Sequence, residues 1–159
     1  MDENSRGGCQ VKHMTVRLET MSTKEKTYFP TSTSYWEDLW DTYTVDFASV
    51  EIHCWKEEKH HIEELSPLAA RTQDRNLVVE LTLTLNEENR TFLRNESSDI
   101  NGGLKWFALF FYQEATQMLE IGRYGSEIAL YGITEEEGEE FKKIFPEGTE
   151  FEYFKEHFI

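Results

Sequence analysis

The residues of this chain best suited to metal or nucleophilic chemistry are its histidines and its two cysteines, and they are unevenly spread. His60 and His61 stand among Glu57, Glu58, Glu63 and Glu64, with His53-Cys54 just upstream. On a helix, Glu57 and His61 are four residues apart, as are His60 and Glu64, so each pair could share a divalent ion on one face. No H-E-x-x-H or C-x-x-C frame accompanies them, and a solvated, charged helix accounts for the same residues without a metal. His13 and His157 add no pattern.

Carboxylates are too abundant here to mark a site by number alone. A catalytic carboxylate needs an apolar setting to raise its pKa, and only Glu114 and Glu120, flanking aromatic strands, meet that condition loosely. The chain has no G-x-S-x-G elbow and no Gly-rich phosphate loop; Gly122-Arg123-Tyr124-Gly125 is too short and turn-like for a nucleotide fingerprint. No catalytic residue, cofactor or metal is therefore expected.

Charge carries more information. The 159 residues hold 31 Asp and Glu against 16 Lys and Arg, a formal net charge of -15, beside 11 Phe, 7 Tyr and 4 Trp. Such a surface repels nucleic acid and anionic lipid, and favours a basic protein as partner. The aromatics supply enough apolar area for a core despite the charge. No apolar run is long enough for a membrane helix, and the first residues contain no signal-peptide h-region. Two cysteines make no disulfide framework, so a reducing, cytoplasmic setting is the default. The sequons at Asn89 and Asn95 would matter only in a secreted protein.

The elements that must position these residues follow from periodicity. Residues 1–10 read as a flexible leader, and 11–159 as one domain. Met14, Val16 and Leu18 alternate with polar residues, which predicts a strand, and 20–33 reads as a loop. Ser34-Tyr35-Trp36-Glu37 has the S-x-x-E form of a capping box. Behind it, Trp36, Leu39, Trp40 and Tyr43 line one helical face.

A strand from about 45 to 55 and a charged helix from 57 to 65 come next, the latter stopped by Pro67. Leu77, Val79, Leu81, Leu83 and Leu85 alternate with Val78, Glu80, Thr82 and Thr84, the clearest strand in the chain. Residues 86–103 read as a turn or mobile loop, and 104–112 as a central strand covered on both sides. A hairpin spans 118–133 around Arg123-Tyr124-Gly125-Ser126. Thr134-Glu135-Glu136-Glu137 opens a last helix, and Phe151 and Tyr153 mark a last strand. The expected class is α+β: about six mostly antiparallel strands, with two or three helices packed on one face.

The reading that joins these features is a small acidic binding or inhibitor protein that docks on a basic partner. Two classes fit physically: an immunity protein (antitoxin) that covers a nuclease cleft, and a DNA mimic acting against a restriction or CRISPR effector. The expected contacts are Trp36, Asp38 and Asp41 with Glu135, Glu136, Glu137, Glu139 and Glu140, where carboxylates stand in for phosphates and aromatics act as anchors. The alternatives are a metal-dependent enzyme using the His53–Glu64 cluster, and a structural subunit whose acidic surface only keeps it in solution.

Overall fold

The computed structural model describes residues 12–22, 28–99 and 103–154. The expected leader, residues 1–10, lies outside them. Strands β1 (Lys12–Arg17), β2 (Thr20–Ser22) and β3 (Tyr28–Pro30) lead into helix α1 (Trp36–Tyr43). Strand β4 (Ser49–Trp55), helix α2 (Lys59–Leu65), strands β5 (Arg71–Asp74) and β6 (Val78–Thr84) and helix α3 (Glu87–Asn95) follow. Strands β7 (Ala108–Gln113), β8 (Thr116–Gly122) and β9 (Glu127–Ile133), helix α4 (Glu135–Lys142) and strand β10 (Glu150–Phe154) are the last of the α and β elements among the described residues.

Eight strands form one antiparallel sheet in the order β10-β1-β9-β8-β7-β4-β6-β5, and β2 pairs with β3 alone. The class is α+β, with more strands than the six expected. The alternating residues do what period two requires. Met14 and Val16, Leu119 and Ile121, Ile128 and Leu130, Leu109 and Phe111, Val50 and Ile52, and Leu81 and Leu83 all point to one face. Trp36, Leu39 and Trp40 of α1, Leu65 of α2, Leu93 of α3 and Phe141 of α4 close that face into a single core.

Several local expectations are corrected. The 20–33 segment contains the β2–β3 hairpin, because Phe29 is buried with its ring 5.0 Å from that of Tyr124. The capping box at Ser34 does not form. Helix α1 starts at Trp36 behind Tyr35, with no side-chain cap. Tyr35 is drawn fully into the core, where its hydroxyl donates to the Gly125 carbonyl at 2.7 Å. The strand expected from 45 begins at Ser49, Val45 being exposed.

The polar stretch 86–103 holds α3. Asn86 caps this helix by accepting from the Asn89 amide at 2.8 Å, and the acidic Glu87 and Glu88 suit its first turn. The capping box at Thr134 does form: its hydroxyl accepts from the Glu137 amide while the Glu137 carboxylate accepts from the Thr134 amide.

The turn between β8 and β9 carries three successive positive φ angles, at Arg123, Tyr124 and Gly125. At Gly125, φ is +96°, and a Cβ there would lie 2.8 Å from Leu104 Cγ and 2.9 Å from the Tyr35 hydroxyl oxygen. Gly125→Ala should lower unfolding free energy by about 2 kcal/mol, combining left-handed strain with displacement of Tyr35. Urea denaturation checks this, and a loss below about 0.5 kcal/mol would show that the turn relaxes freely.

Candidate functional site

The same alternation that fills the core sends the other residues of each strand to the opposite face. Among the described residues no helix covers that face. One cross-strand row there runs through all eight strands, as Arg71, Thr82, Glu51, Phe110, Glu120, Ala129, Thr15 and Glu152. Beside it lie Gln73, Glu80, His53 and Ala108 at one end, and Gly122, Glu127, Arg17 and Glu150 at the other. The 104–112 segment was expected to be covered on both sides. Instead β7 turns Phe110 and Tyr112, both half-buried, toward this uncovered face.

Polar side chains gather on this face on both sides of β7. His53 Nε2 lies 2.7 Å from Glu51 Oε2 and 3.9 Å from Glu80 Oε2. The His53 ring packs on Phe110 with centroids 4.7 Å apart. Arg75 Nε donates to Glu80 Oε1 at 3.2 Å, while Gln117 and the Tyr131 hydroxyl both donate to Glu120 Oε1. Burial first, and then the charges of Glu51, Glu120 and Glu80, raise the pKa of Tyr112. Burial and the Glu120 carboxylate push that of Tyr131 up to about 12. Both phenols therefore remain protonated donors at neutral pH.

Toward β10 the face dips into a hollow of about 480 Å³ whose lining includes Thr15, Arg17, Glu120, Glu127, Tyr131 and Glu152. Its cation, Arg17, lies 3.6 Å from Glu150 at the rim. Arg71 and Arg75 gather at the β5 end, where both donate to Gln73. The centre of the sheet and its β10 end are left negative.

No protein-family model, no curated protein and no solved structure matches this chain.

The contacts expected from sequence sit in the helical layer, on the other side of the molecule. Trp36 is corrected outright. It is buried, with its indole N–H donating to the Leu93 carbonyl at 3.2 Å, and so offers no surface anchor. Asp38 is exposed. Asp41 takes both oxygens to Arg94, at 2.7 and 2.8 Å, which holds its carboxyl below the usual range.

On α4, Glu135 pairs with Lys12, Glu137 is spent in the capping box, and Glu140 pairs with Lys143. Glu139 meets Lys142 and also accepts from the Tyr153 hydroxyl, and these bonds lower its pKa. Glu136 is exposed, with no ion pair among the described residues. The structure does bring α1 and α4 together, through Tyr43 on Phe141 at 4.8 Å. Much of the charge that clusters in sequence is nevertheless met by neighbouring cations.

The His53–Glu64 cluster is divided by strand geometry. His53 faces the open side, whereas Cys54 points into the core, where burial and Glu58 push its thiol up to about 12. That thiol is a packed hydrophobe, not an activated nucleophile. Because α2 begins at Lys59, Glu57 never joins the helix and no Glu57–His61 pair forms. His60 lies 3.7 Å from Glu64, and His61 instead faces Asp99 at 3.7 Å. Glu58 accepts from the Tyr124 hydroxyl at 2.7 Å. Of the two carboxylates singled out for aromatic surroundings, Glu114 occupies an exposed turn and Glu120 belongs to the open-face cluster.

Sequence reasoning passed over Glu51 and Glu80. Their signal was there: polar residues at the outward positions of strands whose inward positions are Val, Ile and Leu.

Proposed function

We propose that the chain is an acidic binding protein that docks, through the open face of its sheet, onto the positively charged cleft of a nuclease or another nucleic-acid-binding effector. The observation that carries this reading is the uncovered row of Glu51, Phe110, Glu120 and Glu152, set beside the acid-lined hollow. Carboxylates there take the place of phosphates for Arg and Lys of the partner. Phe110, Tyr112 and Tyr131 add rigid aromatic area, and the Tyr131 hydroxyl holds Glu120 in place. A rigid sheet holds these groups in register, so little side-chain order is lost on binding. Uncompensated charge steers association over about a Debye length, and the association rate falls as salt rises. The reducing interior of a cell is the setting this reading implies, and the buried, unpaired Cys54 suits it. Among the described residues no helix is long and apolar enough to cross a membrane.

The test compares two charge reversals on a basic protein captured at low salt and identified. Glu120→Lys with Glu152→Lys should weaken binding at least 10-fold, and Glu136→Lys with Glu140→Lys less than about twofold. Circular dichroism confirms that both variants fold. The opposite ranking would move the contact to the helical face, and equal, small effects would remove electrostatic docking altogether.

A further inference from the structure

We propose that Glu51, His53 and Glu80 together form a binding site for one divalent transition-metal ion of the zinc type, independent of any protein partner. Glu51 and His53 are two apart on β4 and so share a face, and the β4–β6 register sets Glu80 directly opposite His53. The three side chains offer donor atoms that all lie within 4.8 Å of one another. Tetrahedral zinc with bonds of about 2.1 Å places its ligands about 3.4 Å apart. The 2.7 and 3.9 Å separations around His53 Nε2 bracket that value, so small rotations about side-chain bonds complete the geometry.

Ligand chemistry selects the metal. An imidazole nitrogen beside two carboxylates favours zinc and its neighbours over magnesium or calcium, which prefer all-oxygen shells. Two carboxylates and a neutral imidazole also balance a divalent charge.

The surroundings are those of a supported site. Phe110 fixes the His53 ring at 4.7 Å, and Arg75 holds Glu80 through Oε1, leaving Oε2 turned toward His53. All three ligands are half-buried on adjacent inner strands, and the open face leaves a coordination position for water or a partner's side chain.

Zinc is the probe. The isolated chain should retain one equivalent through dialysis and melt at a higher temperature with zinc present. His53→Gln and Glu80→Gln should each weaken zinc binding at least 10-fold and abolish the melting shift, while remaining folded without metal. A His60→Ala, His61→Ala double variant should stay within about twofold of the parent, and cobalt bound in place of zinc should show visible absorption that His53→Gln removes. Absence of stoichiometric zinc in the parent overturns the site. So does zinc affinity that survives His53→Gln and Glu80→Gln, or that disappears with His60 and His61.

Discussion

Arg90→Ala is expected to lower the unfolding free energy by about 3 kcal/mol. The Arg90 guanidinium reaches from α3 to five acceptors. Nε donates to the Leu85 carbonyl at 2.9 Å, Nη1 to the Thr44 carbonyl at 3.1 Å and to the Thr44 hydroxyl at 3.5 Å. Nη2 donates to the Phe47 carbonyl at 2.6 Å and to that of Val45 at 3.4 Å. Thr44 is the C-terminal cap of α1, so a fixed positive charge meets the negative end of that helix dipole. Hydrogen bonds to a charged donor contribute about 1.5–3 kcal/mol each when buried, and less where water can replace them, as at the exposed Val45.

Arg90→Lys should recover less than half of the loss, because one ammonium cannot span Leu85 and Phe47 as the planar fork does. Urea unfolding of the parent and the two variants measures both effects. If Arg90→Ala lay within about 0.5 kcal/mol of the parent, solvent would already satisfy those carbonyls, and the brace from α3 to the 44–47 segment would be incidental.

Trp106 gives the second large effect, and a contrast between two substitutions. It has no exposed surface, lies between α3 and β7, and faces Trp36 with ring centroids 6.3 Å apart. Its indole N–H is buried without a hydrogen-bond partner among the described residues. Trp106→Ala should cost about 4 kcal/mol, through lost transfer energy and the cavity left behind. Trp106→Phe should cost about 1 kcal/mol or less. It keeps most of the ring and removes a donor whose unpaired burial is itself unfavourable by about 1–3 kcal/mol. Equal costs for the two would mean that an ordered water satisfies the N–H, and that the polar atom is an asset of the core.

Both residues lie behind the sheet, in the layer that holds it in shape. The proposed docking row and metal site depend on that layer without containing any of it. Loss of binding in a Trp106 or Arg90 variant would report unfolding, whereas the open-face variants separate recognition from stability.

The hydrophobic pattern made much of the local structure legible. The run from 77 to 85 announced β6, the Trp36-Leu39-Trp40 stripe announced α1, and Thr134 with Glu137 announced the start of α4. Each rests on contacts within one turn or one strand, where neighbours in sequence are neighbours in space. Helix α3 escaped notice because only Phe92 and Leu93 are apolar in a polar stretch, although Asn86 followed by Glu87 and Glu88 is a legible N-terminus. The box at Ser34 misled because burying Tyr35 outweighs a cap of about 1 kcal/mol.

The site was less legible, for a different reason. Period two states which residues of a strand share a face, but not whether anything covers that face or which strand lies alongside. Composition alone determined that this protein is acidic and that it has the aromatic mass for a core. Tertiary structure alone decided that β1 enters between β9 and β10, that Glu80 of β6 joins Glu51 of β4 at His53, and that Trp36 turns inward. Strand pairing is a contact between distant segments, won by the total area buried behind the sheet, and no short window of residues contains that sum.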